Sequence, residues 1–338
     1  MEVQMDKVRV GLIGCGSFAR GMHVPIIAKN SKLKLVATCD VDLNLADRVR
    51  QETGASYATS DAARLLADCD IDAVFIVTRH DSHAPLAVQA ARAGKHILCE
   101  KPMGLSRDEC RQVASAVRAA GVVYTVGYNR GLSPLVTKAK EIMAACPGKK
   151  MLYHRIQAPF PADSWTHDPA VGGGRFVGEG CHIFDLFCEL VGAPPVSVYA
   201  AGGTFLDPAR VHIPDSANVT ISFADGSVAT TLIASDGCSD FPKEATEIYW
   251  AGKAIYIDNF TSLSYHGVVE NGDGRIVLKA GDKGHHVEID RFADAILTGA
   301  PAPNGLVAAY RAALISYLVN ESLASGQALP ICESDYQV

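Results

Sequence analysis

Val8-Arg-Val-Gly-Leu-Ile-Gly-Cys-Gly-Ser-Phe-Ala19 opens as a short β-branched apolar run and breaks into G-x-G-x-x-A before a helical pattern. In that setting each small residue has a task. Gly14 permits the tight turn, Gly16 lets a pyrophosphate approach the backbone, and Ala19 allows close helix–strand packing at a positive helix N-terminus, with Ser17 and Phe18 completing the loop. A second strand, Leu33–Cys39, ends in Asp40, 26 residues after Gly14, where a ribose-binding acid is expected. The alternative for Asp40 is a turn or N-cap residue. A carboxylate repels a 2′-phosphate, and neither Val41 nor Asp42 is basic, so NAD is favoured over NADP.

Working outward, helices and strands alternate. Helix Leu43–Thr53, a strand near Ser56–Ala58, helix Asp61–Ala67, strand Ala73–Val77, helix Ala84–Ala93 and strand His96–Cys99 follow in turn. Ser106-Arg-Asp-Glu109 is a capping box opening a helix to Ala120, and Val122–Val126 is one more strand. Strands separated by helices of this length imply a parallel, doubly wound sheet, so residues 1–125 are expected to form a complete dinucleotide-binding domain. Ligands of such sheets bind beyond the C-terminal strand ends. Two loops lie there: Thr78-Arg79-His-Asp-Ser-His83, which is also readable as a solvated polar loop, and Glu100-Lys101-Pro102. Pro102 restricts Lys101 to extended geometry and makes a cis peptide possible.

Composition bounds the rest. The 338 residues suggest roughly two domains, and 48% hydrophobic with 20% charged residues is ordinary for a globular protein. A net charge of −6 gives no basic footprint for nucleic acid or an anionic membrane. The ten cysteines are scattered singly, without a C-x-x-C pair, which favours buried reduced thiols over disulfides or a metal site. Met1–Lys7 is short and polar, and no apolar run approaches the ~20 residues needed to span a bilayer. The expected location is the cytoplasm.

Residues 126–338 read differently. Gly127-Tyr128-Asn-Arg130 leads to helix Pro134–Ala145 and strand Lys150–Gln157. The loop Ala158–Pro169 carries Trp165, able to stack on a pyranose face, and His167; with Arg155 and Tyr128 these are candidates to hydrogen-bond hydroxyls, each equally readable as structural. Gly172-Gly-Gly-Arg-Phe-Val-Gly-Glu-Gly-Cys-His-Ile-Phe-Asp185 then enters a buried helix, with Glu179, His182 and Asp185 spaced by three. On a regular helix successive members lie about 60° apart, so all three can face one cleft. A lone His on an apolar helix is equally a hydrogen-bonded core residue. Runs at Val196–Ala201, Asn218–Phe223, Val228–Ala234, Glu244–Trp250, Ala254–Asp258 and Arg275–Lys279 follow. They are joined by hairpin chemistry at Ala224–Gly226, Ala251–Lys253 and Asn271–Gly274, and predict an antiparallel sheet. Its helix-free face would need a partner subunit. Helices near Val287–Thr298 and Leu306–Ser325 close the chain.

The glycine loop, Asp40, the run Ala93-Gly-Lys-His-Ile-Leu-Cys-Glu-Lys-Pro102 and the Gly172–Asp185 stretch together resemble the glucose-fructose oxidoreductase/inositol dehydrogenase (Gfo/Idh/MocA) family over nearly the whole chain. The resemblance implies a Rossmann domain followed by an α+β domain with a large, open, mostly antiparallel sheet that forms a homodimer or homotetramer interface. It implies an NAD(P)-dependent dehydrogenase acting on a secondary alcohol of a sugar, cyclitol or nucleotide sugar. It also places Lys101 and His182 beside the nicotinamide. His182 is then the acid/base, Lys101 its electrostatic partner or, if desolvated enough to lose its charge, itself the base, and Asp185 the residue orienting the imidazole. The family pattern carries Asp four residues before the His; here that position is Gly178, with Glu179 one residue later as a substitute carboxylate. An NAD-retaining glycosidase and a non-catalytic nicotinamide-binding regulator are the competing readings of the same fold.

Overall fold

The computed structural model describes residues 7–269 and 272–338. Residues 1–6, and Asn271 of the turn expected at 271–274, lie outside them. The chain groups into two units: Met1–Gly127 with His285–Tyr310 and Val338, and Tyr128–Gly284 with Arg311–Gln337. The expectation drawn from sequence assigned all of 126–338 to the second domain, whereas contacts group 285–310 with the first unit.

In the first unit β1 (Val8–Ile13), α1 (Val24–Lys29), β2 (Leu33–Cys39), α2 (Leu43–Thr53), β3 (Tyr57–Thr59), α3 (Ala62–Leu66), β4 (Ala73–Ile76), α4 (His83–Arg92), β5 (His96–Cys99), α5 (Arg107–Ala120) and β6 (Tyr124–Val126) follow in order. The strands form one parallel sheet in the order β3-β2-β1-β4-β5-β6. Order reverses between β1 and β4, so the crevice for a ligand opens beyond the C-terminal ends of those strands. Helices cover both faces, which is why Ala73–Ile76 and His96–Cys99 read as apolar runs instead of alternating ones. Ser106 caps α5 by accepting from the Glu109 amide at 3.2 Å, but the expected capping box is displaced: Glu109 Oε2 reaches the Leu105 amide at 2.7 Å, one residue further back.

The second unit holds α6 (Pro134–Ala144), β7 (Met151–Gln157), α7 (Cys181–Val191), β8 (Pro195–Gly203), β9 (Ser216–Phe223), β10 (Val228–Ala234), β11 (Glu244–Trp250), β12 (Lys253–Asp258), β13 (Ser262–Val269) and β14 (Gly272–Val277). After α8 (His285–Thr298) and α9 (Leu306–Ser325), β15 (Leu329–Pro330) ends the sheet. Nine strands lie in the order β14-β13-β12-β11-β7-β10-β9-β8-β15. Among the described residues of this sheet only β7 and β10 pair in parallel; every other neighbour is antiparallel. Two strands, β13 and β15, were not anticipated, and the run expected at Arg275–Lys279 is shifted to Gly272–Val277.

Alternation along β7 separates two faces. His154 and Ile156 point into the core, where the His154 ring meets Phe187 of α7 edge-on at 6.4 Å, while Met151 is 65% exposed on the other face. Tyr249, the register partner of Met151, is 51% exposed, and Tyr256 of β12 lies on the same outward side. α7 is buried along its whole length except Glu189, as its nearly continuous apolar sequence demands.

α8 returns to the first unit because its apolar stripe completes that core. Ile289, Phe292 and Ala293 join Val8, Val10, Leu12 and Phe75 in one buried cluster, and Phe292 meets Phe75 edge-on at 5.7 Å. Among the described residues, no helix is long and apolar enough to cross a membrane. All ten cysteines are free; six are buried, Cys146 is half-buried, and Cys69, Cys238 and Cys332 are exposed, so the expectation of buried thiols holds for most of them and not for these.

Candidate active site

In the first unit the glycine loop leaves β1 and is tied to β2, Gly14 N–H donating to Cys39 O at 2.8 Å. Gly14 has φ +94°, and a Cβ there would lie 2.2 Å from Val77 O, so turn and packing both demand glycine. Gly16 is the opposite case: nothing comes within 4 Å of a Cβ built on it, leaving its backbone open to an approaching group. Ser17 and Phe18 are exposed and Ala19 is buried. Ala19–His23 is a π turn running directly into α1, a distortion frequent at functional sites and absent from the sequence reading. Asp40 ends β2 and holds this loop: Oδ2 accepts from the Cys15 amide at 2.7 Å and Oδ1 from the Asp42 amide at 2.9 Å. The turn reading of Asp40 is therefore realised, on the strand end where a ribose-binding acid is expected.

The two further loops are joined. His83 is fully buried, with Nε2 3.2 Å from Thr78 O and Nδ1 2.9 Å from Pro102 O, and burial holds its pKa below the usual histidine value. It staples the Thr78 loop to the Lys101 loop instead of facing outward. Thr78 Oγ1 accepts from Ser82 Oγ at 2.6 Å, and Arg79 is exposed at the end of β4. Glu100 is buried, and Lys101, half-buried, precedes Pro102 through a cis peptide bond.

In the second unit α7 is entered through another π turn, Phe176–Gly180, so the regular spacing drawn from sequence does not carry across Glu179. His182 is 5% exposed and meets the fully buried Tyr128 edge-on, ring centroids 6.0 Å apart. Glu179 Oε1 accepts from Arg130 Nη2 at 3.0 Å and from Lys243 Nζ at 3.4 Å. Arg130 also grips Glu244, Nε to Oε2 at 2.8 Å and Nη2 to Oε1 at 3.0 Å, and Lys283 donates to Glu244 Oε1. Burial alone would raise the Glu244 pKa, but the charges and hydrogen bonds of Arg130 and Lys283 hold it far below the usual carboxylate range. His154 completes the cluster, its Nδ1 2.9 Å from Thr246 Oγ1, and burial lowers its pKa to about 4.

Asp185 behaves differently from the role expected for it. It is fully buried, neither carboxylate oxygen has a hydrogen-bond partner, and burial beside Glu189 raises its pKa well above the ordinary value. It makes no hydrogen bond to the His182 imidazole.

The remaining candidates divide. Gly172 and Gly173 amides donate to Asp168 O at 2.8 and 3.1 Å, so the Trp165 loop is fastened to the start of the Gly172–Asp185 stretch. His167 is buried edge-on to Phe160 at 5.3 Å, and Trp165 is half-buried. Arg155 alternates with His154, so it falls on the sheet face opposite α7, where its guanidinium covers the Phe241 ring at 4.4 Å and donates to Pro242 O at 2.6 Å. That corrects the expectation that Arg155 stands with His182. Sequence reasoning assigned no task to His23, His154, Glu244, Lys283 or Arg130. The available signal was an ionisable residue at an inward strand position, as at Glu244. Among the described residues, no group of three or more His, Cys, Asp or Glu is placed to hold a metal ion.

Residues 8–128 match the model of the GFO/IDH/MocA oxidoreductase family with its NAD-binding Rossmann fold, and residues 150–249 match that of the GFO/IDH/MocA C-terminal domain. The chain belongs to the GFO/IDH/MocA family. Uncharacterized oxidoreductase YrbE of Bacillus subtilis is 29% identical over 338 residues, 96% of this chain and 97% of that one. Inositol 2-dehydrogenase of Rhizobium meliloti is 28% identical over 307 residues, 88% and 92% of the two chains. Among solved structures, the oxidoreductase domain protein of Kribbella flavida superposes with TM-score 0.88 at 22% identity, covering 97% and 100% of the chains. Levoglucosan dehydrogenase in complex with NADH and levoglucosan superposes with TM-score 0.87 at 23% identity, covering 96% and 99%; both share the fold. This GFO/IDH/MocA member is an oxidoreductase with NAD as cofactor. Its residues fit that group: Gly14 makes the tight turn, Gly16 leaves the open backbone a pyrophosphate needs, and Asp40 stands at the end of β2.

Proposed function

We propose that the chain is an NAD-dependent dehydrogenase moving a hydride between NAD and a secondary alcohol of a sugar, cyclitol or nucleotide sugar. The observation carrying this reading is His182, a buried imidazole at the start of α7, edge-on to Tyr128, in a chain whose relatives include an inositol 2-dehydrogenase. Bound NAD supplies the hydride acceptor, the nicotinamide C4. The protein's own groups handle the proton. His182 takes it from the alcohol as general base, a task suited to imidazole at neutral pH. Lys101 donates a hydrogen bond to the same oxygen and stabilises the alkoxide as it develops. Glu179, already paired with Arg130 and Lys243, acts through the local field and not as a proton acceptor.

Residues 1–127 with 285–310 serve as the nucleotide domain, where Gly14, Gly16, Ser17, Phe18, Ala19, Thr78 and Arg79 line the cofactor side and Asp40 disfavours the 2′-phosphate of NADP. Residues 128–284 with 311–337 serve substrate binding and assembly. Trp165 and His167 supply sugar contacts, and the outward sheet face bearing Met151, Tyr249 and Tyr256 joins a second copy in a homodimer or homotetramer.

The test is a panel of cyclitols, free sugars and nucleotide sugars assayed for NADH and NADPH absorbance, with Lys101→Ala and His182→Ala beside the wild type. Turnover with NAD that drops ~10²–10⁴-fold in both variants while NAD binding persists supports the assignment. Sugar release without a net absorbance change, or turnover near wild type in both variants, overturns it.

A further inference from the structure

Behind Lys101, and entirely within the first unit, lies a buried pair that the proposed chemistry does not use. His23 closes the π turn after the glycine loop, and its Nε2 stands 2.8 Å from Glu100 Oε1. The side chains are 1% and 7% exposed, so water competes for neither. The other carboxylate oxygen, Oε2, accepts from the Lys101 backbone N–H at 3.2 Å. Space for the carboxylate is made by Gly127, where a Cβ would lie 3.0 Å from Glu100 Cδ and both of its oxygens. The His23 ring is held edge-on between Phe18 of the glycine loop at 5.5 Å and Phe75 of β4 at 5.8 Å. Contacts therefore run without a gap from the cofactor loop through Phe18, His23 and Glu100 to the Lys101 backbone.

We propose that His23 and Glu100 are positioning residues for Lys101, fixing the loop that carries its ammonium and tying it to the glycine loop. The geometry suits that task. A carboxylate accepting from two directions, an imidazole on one side and a main-chain amide on the other, fixes the amide in direction as well as distance. Burial by itself would raise the Glu100 pKa; the hydrogen bond and charge of His23, then the charges of Lys101 and His285, instead lower it to about 2, so the acceptor stays ionised across the neutral range. Displacement of a reacting group by ~1 Å costs about 10²-fold in rate, which is the scale at which a positioning residue acts.

This inference rests on Lys101 meeting the substrate oxygen, and its test has one readout independent of that. His23→Phe keeps ring volume and both aromatic contacts but removes the donor; His23→Gln restores a donor near the Nε2 position; Glu100→Gln approaches the pair from the other side and guards against a His23 variant that fails to fold. In full-length protein labelled with 15N-lysine, amide exchange at Lys101 is expected to quicken at least about tenfold in His23→Phe and Glu100→Gln. On the best substrate of the panel, kcat is expected to fall ~10²-fold in His23→Phe with KM for NAD within about threefold, and His23→Gln to recover most of the loss. Unchanged Lys101 exchange in both His23→Phe and Glu100→Gln overturns the proposal, as does a His23→Phe defect confined to NAD affinity or left unrepaired by His23→Gln. If no polyol is oxidised at all, the dehydrogenase reading fails while the exchange measurement still decides the positioning.

Discussion

Arg130 holds Glu244 by two hydrogen bonds, at 2.8 and 3.0 Å, with the side chains only 5% and 0% exposed. The pair spans 114 residues of sequence and binds the segment after β6 to the first residue of β11. Removing one member leaves the other charged and shut away from water. Arg130→Met is expected to lower unfolding free energy by about 3–5 kcal/mol. Arg130→Met combined with Glu244→Leu should recover part of that, because the buried carboxylate, left with Lys283 as its donor in the single variant, is removed with its partner. Urea denaturation of the single and double variants measures both.

Acid should destabilise the protein in two stages. The folded-state pKa values of His154, at about 4, and Glu100, at about 2, lie below the ordinary values of 6.5 and 4.5, so the unfolded chain binds the more protons. The stability they contribute is complete above the ordinary values and is lost as pH falls, from about 6.5 to 4 for His154 and from about 4.5 to 2 for Glu100. Glu244 adds to the second stage in the same direction. His154→Asn, which keeps a group near Thr246, should remove roughly 3 kcal/mol of the dependence between pH 6.5 and 4. Melting temperatures measured across pH 4–7 would falsify this if wild type and variant ran parallel.

Asp185 runs the other way. Its folded-state pKa is raised, so its contribution is complete below the ordinary carboxylate range and is lost as pH climbs from that range through the raised folded-state value. Asp185→Asn, of the same shape without the ionisation, is expected to stabilise the protein at pH 7, with the gain vanishing near pH 4. Equal gains at both values would point to something other than proton linkage.

Gly14 and Gly16 should separate folding from cofactor binding. Gly14→Ala puts a Cβ against Val77 O at a φ that L-residues avoid, and should cost several kcal/mol or prevent folding. Gly16→Ala meets no protein atom, so the melting temperature without cofactor should stay within about 2 °C while NAD affinity drops at least ~10-fold. Titration calorimetry beside thermal melting reads the two apart. A Gly16→Ala protein binding NAD as tightly as wild type would remove the pyrophosphate from this loop.

How far these features were visible beforehand depended on whether they were local. The strands of the first unit read directly from sequence because sheets buried on both faces leave uninterrupted apolar runs between glycines and caps, and His182 was reachable through its apolar helix. β13 was not: Ser262-Leu-Ser-Tyr-His266 alternates, but Gly267 at φ +67° and a register shift after Tyr265 break the pattern. The π turns at Ala19–His23 and Phe176–Gly180 have no periodic signature that separates them from the start of a regular helix, so the spacing of three between Glu179 and His182 suggested one shared face, whereas Glu179 pairs with Arg130 and Lys243. Partners such as His23 with Glu100, 77 residues apart, leave no periodic trace at all.

The return of α8 to the first unit bears on how the protein is made. Phe292, which closes the cluster around Phe75, lies 165 residues beyond the end of that unit's first segment at Gly127. As the chain leaves the ribosome, the nucleotide-binding half has all six of its strands but not the last wall of its core, and it must wait, with Phe75 short of a neighbour, until the other half has been synthesised. A nascent chain stalled at residue 127 should therefore engage hydrophobic-binding chaperones, and one extended past α8 should let them go.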